Sequence, residues 1–272
     1  MSERVSQPQL RLALVQGDTL WHDPEGNRAH YAKLLEPLRG QADLIVLPET
    51  FTSGFSNEFL SRAESEGGPT LEWLHEQAQR TGAAITGSVQ VRDGDQVFNR
   101  MYFVTPAGDV SRYDKRHLFR FAKEHERYAA GKDRVIVEYK GWRILLQVCY
   151  DLRFPVFSRN APDAQGEAAF DLMLYVANWP AVRSYPWIQL AKARAIENLA
   201  YVASVNRAGT DGNGLEYSGD SAIYDFKGKV LAECRDAAEQ VVFGSVSMAE
   251  LQAFRAQFPA LLDADAFEIT DR

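Results

Sequence analysis

Three side chains in this sequence are reactive enough to ask what they could do together. In residues 144–154, Ile-Leu-Leu-Gln-Val-Cys-Tyr-Asp-Leu-Arg-Phe, a continuous apolar run stops at Cys149, and a polar turn bearing Asp151 and Arg153 takes over before Pro155. Such a run suits a strand covered on both faces. Its abrupt end presents the thiol on a strand-to-helix turn, where a helix N-terminus favours a thiolate. The competing reading is a buried structural cysteine, the commoner fate of a free Cys. Leu44-Ile45-Val46-Leu47 is a second apolar run and ends in Pro48-Glu49-Thr50; Glu49 is either a helix-capping acid or a base at a strand end. Val110 to Lys115 delivers an ammonium in Tyr113-Asp114-Lys115-Arg116-His117-Leu118-Phe119. A thiol, a carboxylate and an ammonium at comparable strand ends suit attack on a carbonyl or nitrile carbon. The carboxylate takes the thiol proton, while the ammonium stabilises the oxyanion and favours the thiolate. A Cys-His protease or transferase competes, using His22, His30, His75, His117 or His125. By pattern each of these reads as a surface or packing residue, His117 and His125 being hardest to dismiss.

The elements that must position these groups can be read along the chain. Leu10 to Val15 predicts a first strand, and Asp23-Pro24-Glu25 opens a helix with Ala29, Ala32 and Leu35 inward. Residues 51–68, punctuated by Gly and Ser, are expected to line a cleft. Pro69 to Arg80 predicts a helix, Ala83 to Val91 a strand, and Phe98 to Thr105 with Val110 to Lys115 a strand pair about Pro106-Ala107-Gly108-Asp109. The order βαβαββ implies a mixed sheet in an α/β fold. Val135 to Glu138 and Trp142 to Val148 form a further pair, and Leu172 to Val176 is a buried strand ending in Asn178-Trp179-Pro180. Tyr185 to Leu199 predicts a helix whose apolar face carries Arg194, which must be paired or reach a cleft. Tyr201 to Asn206, a hairpin of Ser221 to Phe226 with Val230 to Glu233, and Val241 to Val246 complete the strands, and Gly209 to Gly214 reads as a flexible loop. From about residue 247 a C-terminal arm rich in Phe, Leu and Ala must pack elsewhere or on a partner. With no linker or repeat, one domain spanning 1–272 is the economical organisation.

The 272 residues are 46% hydrophobic and 25% charged, enough for a sizeable core and unlike a disordered chain. Thirty Lys and Arg against 37 Asp and Glu give a net charge of −7, which opposes polyanions and argues against nucleic acid. Two cysteines in no metal or disulfide spacing point to a reducing compartment. A polar N-terminus and the lack of a long apolar run lead to the expectation of a cytoplasmic protein without a membrane span.

Leu-Pro-Glu-Thr around Glu49, Tyr-Asp-Lys-Arg-His-Leu-Phe around Lys115 and Val-Cys-Tyr-Asp-Leu-Arg-Phe-Pro around Cys149 resemble the three signature segments of the nitrilase, or carbon-nitrogen hydrolase, superfamily. They fall in the same order, and the resemblance runs from Leu10 to about Val246. It implies a four-layer α-β-β-α sandwich with mixed sheets. In that fold Glu49 is the general base, Cys149 the nucleophile, and Lys115 the group that holds the tetrahedral oxyanion. The Tyr150 backbone N–H completes the oxyanion hole. Glu124, seven residues before Gly131, matches the family's additional active-site acid better than Glu126 does. The resemblance implies no metal or organic cofactor, and a homodimer.

Within the superfamily, Tyr-Val-Ala-Asn-Trp-Pro at 175–180 and Lys-Ala-Arg-Ala-Ile-Glu-Asn at 192–198 look most like the ω-amidases, which hydrolyse 2-oxoglutaramate and 2-oxosuccinamate. That likeness implies a small-molecule amide substrate, with Asn178, Trp179 and Arg183 near the cleft. Arg153, four residues past Cys149, is either a clamp for a remote carboxylate or the partner of an internal acid such as Asp151 or Glu197. An N-carbamoyl-amino-acid hydrolase, a nitrilase, or a catalytically silent binding or scaffold protein of the same fold are the alternatives.

Overall fold

A computed structural model describes residues 9–163, 165–234 and 236–270; most of the polar N-terminal segment weighed above lies outside them. In chain order the strands are β1 (Gln9–Gln16), β2 (Leu44–Val46), β3 (Glu64–Ser65), β4 (Ala84–Asp93), β5 (Gln96–Val104), β6 (Val110–Asp114), β7 (Ile136–Tyr139), β8 (Trp142–Val148), β9 (Leu172–Ala177), β10 (Tyr201–Asn206), β11 (Ala208–Thr210), β12 (Glu216–Ser218), β13 (Ala222–Tyr224), β14 (Val230–Glu233) and β15 (Gln240–Ser247). The α-helices are α1 (Pro24–Leu35), α2 (Pro69–Thr81), α3 (Ser184–Asn198) and α4 (Met248–Gln257).

Two mixed sheets form. One runs β15-β1-β2-β4-β5-β6, with β3 beside β4; the other runs β14-β13-β10-β9-β8-β7. In each, three central strands are parallel: β1, β2 and β4 in the first, β8, β9 and β10 in the second. The most continuous apolar runs, β2, β8 and β9, are among them, because a parallel strand is buried on both faces. Alternation along each strand sorts its side chains into layers. Leu12, Leu14, Leu44 and Val46 of the first sheet share one core with Ile144, Leu146 and Val148 of the second. The other faces point to helices: Ala13, Val15 and Ile45 to Tyr31 of α1 and Leu74 of α2, and Leu145, Met173 and Tyr175 to Trp187 and Ala191 of α3. The layers are helix, sheet, sheet, helix. No helix of the described residues is long and apolar enough to cross a membrane.

Far from the sheet ends that matter chemically, Asp43 ties the two sheets together. It accepts the Arg11 backbone N–H and guanidinium from the first sheet, and Lys140 Nζ from the β7–β8 turn of the second. The C-terminal arm departs from expectation in its first half. Ser247 caps α4 by accepting the Glu250 N–H, Met248 and Leu251 are buried in the inter-sheet core, and Phe254 stacks on Phe226 at 4.7 Å. This part of the arm therefore packs on its own chain, while Phe258 and Leu262 remain exposed.

Candidate active site

Each reactive side chain leaves the end of a buried strand. Glu49 follows β2 and is fully buried; Thr50 then takes a left-handed φ of 40°, so the chain turns sharply past the carboxylate. Glu49 Oε1 accepts from Asn99 Nδ2 at 2.7 Å and Lys115 Nζ at 2.9 Å, and Oε2 accepts the Asn178 N–H at 2.7 Å. The Glu49 charge also acts on the Cys149 thiol, which lines the same cavity.

Lys115 follows β6. Its N–H donates to Asn99 O and its carbonyl accepts the Gly131 N–H, each at 3.0 Å. Glycine is required at 131 because a Cβ there would lie 2.0 Å from the Asp114 carbonyl oxygen. The ammonium stands between Glu49 and Glu124, whose two oxygens are 3.1 and 3.0 Å away, and 5.3 Å over the Phe55 ring. Glu124 is itself buried, reached through Lys123 at φ 57°, and accepts the Phe119 N–H at 2.6 Å; Glu126 is exposed.

Cys149 adopts φ 46° at the start of a short 3-10 turn, Cys149–Arg153, which juts it from the end of β8. A left-handed L-residue is strained and has to be held by its surroundings. Tyr150 occupies the first turn, where N–H groups have no partner within the helix and are free to face an oxyanion.

The charges are strongly coupled. Burial opposes the Lys115 ammonium, but Glu124 and Glu49 outweigh it and hold its pKa well above an ordinary lysine's. Burial raises Glu124 in spite of Lys115. Burial, and then the negative charge of Glu49, push the Cys149 thiol well above its usual range, with Lys115 opposing. Lys115 thus favours the thiolate as expected, but burial and Glu49 outweigh it. Two carboxylates face one ammonium, so a further negative charge is unwelcome until its proton has somewhere to go.

The four groups meet at a cavity of about 360 Å³, which Glu49, Lys115 and Cys149 line directly, with Glu124 behind Lys115. Its outer wall holds Arg153 and Arg183. The Arg153 guanidinium lies 4.8 Å from the centroid of the Trp179 ring, and that of Arg183 lies 5.5 Å from that of Phe119. Neither acid weighed as a partner of Arg153 pairs with it. Asp151 is occupied by Tyr113, His117 and the Val148 N–H, and Glu197 binds Arg194 at 2.9 Å. That last contact makes Arg194 a structural ion pair, and its other arm donates to Leu152 O at 2.7 Å, bracing α3 against the nucleophile turn.

Asn178 lines the cavity, yet its amide donors are spent internally on Glu49 O and Thr50 Oγ1, leaving the buried Oδ1 without a partner. None of the five histidines lines the cavity, which removes the geometric basis for a Cys-His pair. The expected cleft segment does contribute, through Phe55 to Glu58. The Gly209–Gly214 stretch is firmer than expected: β11 and β12 pair, and Asp211 accepts from Asn213, Leu215 and Tyr217 to form the opposite wall. Sequence reasoning missed Asn99, whose signal was an amide flanked by Phe98 and Arg100 within a mostly apolar strand. Among the described residues, no group of three or more His, Cys, Asp or Glu side chains could hold a metal ion.

Comparison with known proteins bears on this arrangement. The family model described as carbon-nitrogen hydrolase matches residues 11–256. The chain is 48% identical over 258 residues to the omega-amidase YafV of Yersinia enterocolitica, covering 95% of this chain and 98% of that one. It is 32% identical over 255 residues to a 2-oxoglutaramate amidase of Bacillus subtilis, covering 93% and 96%. Among solved structures it resembles XC1258 from Xanthomonas campestris, a CN-hydrolase superfamily protein carrying an arsenic adduct in its active site. That likeness has a TM-score of 0.95 at 59% identity and covers 97% of this chain and 100% of that one.

Proposed function

The chain belongs to the carbon-nitrogen hydrolase family, and from that premise we propose that it hydrolyses the terminal amide of a small carboxylate-bearing amide of the 2-oxoglutaramate kind. The observation that carries the proposal is one cavity holding both the Glu49–Lys115–Cys149 cluster and two guanidiniums, Arg153 and Arg183, for which no carboxylate partner exists among the described residues. The similarity to YafV and to the Bacillus amidase supports the same substrate class.

In the proposed cycle the thiol proton passes to Glu49 as Cys149 Sγ attacks the amide carbon. This timing follows from the raised thiol pKa, since a free thiolate is not the resting species. The carbonyl oxygen becomes an oxyanion held by Lys115 Nζ and the Tyr150 N–H. Glu49 returns the proton to nitrogen, the C–N bond breaks, and ammonia leaves behind a thioester. Water, giving a proton to Glu49, then attacks the thioester carbon; the C–S bond breaks, the carboxylic acid departs, and Cys149 recovers its proton. Glu124 keeps the ammonium charged and aimed. Arg153 and Arg183 orient the remote carboxylate, each backed by an aromatic ring.

Ammonia release measured on 2-oxoglutaramate, glutamine, an N-carbamoyl amino acid and a simple nitrile tests this directly. Preference for 2-oxoglutaramate supports the proposal. Carbon dioxide with ammonia from the carbamoyl compound, or acid formed directly from the nitrile, would replace it with one of the alternatives.

A cytoplasmic homodimer is the accompanying proposal. Both cysteines are free, which suits a reducing compartment, and Phe121, Val182 and Tyr185 expose apolar surface beside Arg183. A monomer by light scattering at micromolar concentration would contradict it.

A further inference from the structure

We propose that Asp151 and His117 act as a pair of positioning residues that fix Lys115 relative to the Cys149 turn, an inference that rests on the amide hydrolysis proposed above. Asp151 is fully buried and lies two residues past the nucleophile, outside the cavity lining. Its two oxygens receive four donors. Oδ2 accepts the Val148 N–H at 2.9 Å and the Tyr113 hydroxyl at 2.7 Å; Oδ1 accepts the His117 N–H at 3.0 Å and faces His117 Nδ1 at 2.7 Å.

These donors come from two places. Val148 is the last residue of β8, directly before Cys149, so its bond to Asp151 closes the turn that presents the thiol. Tyr113 and His117 stand two residues before and two residues after Lys115. The backbone carrying the ammonium is thus pinned on both flanks to a carboxylate that belongs to the nucleophile's own turn. A carboxylate offers about four acceptor directions, and all are filled. Because it can only accept, His117 must carry its proton on Nδ1. The imidazole is held in turn by a parallel stack on Phe154, with centroids 3.8 Å apart. Burial and then Asp151 raise the Tyr113 hydroxyl well above the usual tyrosine range, so it remains a donor throughout the working pH range.

The consequence is geometric. Glu49 and Asn99 hold the far side of the ammonium, and the Asp151–His117 pair holds the backbone from which it extends. Loosening the His117 side chain leaves the Val148 bond that closes the thiol's turn intact and acts first on the backbone that carries Lys115. A misplacement of about 1 Å at a reacting centre costs up to about a hundredfold in rate.

Two substitutions at His117 separate the parts of its side chain. His117→Asn retains an N–H donor near the Nδ1 position and loses the ring, whereas His117→Phe keeps the stack on Phe154 and loses the donor. The expected result is a kcat within about threefold of wild type for His117→Asn and about tenfold to a hundredfold lower for His117→Phe, with KM unchanged in both and a lower melting temperature for His117→Phe, which leaves a buried carboxylate short of one donor. A second readout needs no substrate. Lys115 lowers the thiol pKa, so the pH midpoint for alkylation of Cys149 should rise in His117→Phe and hold in His117→Asn. Asp151→Asn, if it folds, should match His117→Phe. Equal kcat and equal alkylation midpoints for the two His117 variants would overturn the proposal, as would a loss expressed only in KM. If the wild type released no ammonia from any amide, the amidase reading would fail, and the alkylation midpoints would still decide the role of the pair.

Discussion

Asn178 donates twice to Glu49, from its backbone N–H to the carboxylate at 2.7 Å and from its side-chain amide to the carbonyl at 2.5 Å. Glu49 leaves the first sheet and Asn178 the second, so this pair joins the two sheets at the cavity. It also fixes the carboxylate so that one oxygen serves Asn99 and Lys115 while the other is held by the Asn178 N–H. The expected substrate contact of Asn178 is thereby narrowed to its one unused acceptor, Oδ1.

Glu49→Gln should separate thiol acidity from turnover. Burial and then the Glu49 charge raise the Cys149 pKa, so removing that charge should move the alkylation midpoint to lower pH while hydrolysis falls at least about a hundredfold for lack of a base. Iodoacetamide rates measured across pH give the midpoint. An unchanged or higher midpoint would show that Glu49 is not the group opposing the thiolate. Cys234, buried and with its thiol pushed up to about 12, should remain a slow control.

Cys149→Ser and Cys149→Ala should abolish ammonia release with the fold retained, and Lys115→Ala should lose about 10² to 10³ in kcat, as for removal of one oxyanion donor. Circular dichroism and steady-state ammonia release check both. A Cys149 variant retaining more than about a tenth of wild-type turnover would sink the thioester route.

Arg153→Met should raise KM for 2-oxoglutaramate by about tenfold to a hundredfold and narrow the gap between acidic and neutral amides. The side chain forms no ion pair with Asp151 or Glu197, so melting temperature should change little. A drop in stability with an unchanged acidic preference would move the clamp to Arg183.

Acid should weaken the join at the far end of the sheets. Burial works to raise Asp43, but hydrogen bonds from Arg11 and Lys140 outweigh it and lower its pKa from 3.8 to about 2. A carboxylate depressed on folding contributes stability above its unfolded pKa and loses it as pH falls through the folded value. Asp43→Asn should therefore cost on the order of 1 kcal/mol at neutral pH, modest because the Arg11 end is half exposed, and the difference should shrink between pH 4 and 2. Urea titrations of both proteins across that range measure it. A difference that stays constant down to pH 2 would exclude the linkage.

The two halves of the problem were unequally legible in the sequence. Ile144 to Val148 and Leu44 to Leu47 announced themselves because a strand buried on both faces is mostly apolar, Gln147 being the one polar residue in the two runs, and each ends at a reactive group. Glu124 was reachable only through family resemblance, since Glu124-His125-Glu126 is locally indistinguishable from a solvated loop. The thiol's raised pKa was out of reach, because it depends first on burial and then on the balance of Glu49 against Lys115 once strands far apart in sequence have met. Asn99 and the Asp211 hairpin escaped for a similar reason: their partners lie across turns and sheets that periodicity does not order.

Glu49, Lys115 and Glu124 all leave the first sheet, whereas Cys149 leaves the second. A chain emerging from its N-terminus holds the base and the ammonium before the nucleophile exists, and the thiol acquires its partners only when the faces of the two sheets close. Until then Cys149 is an ordinary cysteine. What closure of the sheets adds is therefore not a more acidic thiol but a base and an ammonium within its reach, so the proposed chemistry depends on the contact between the two sheets.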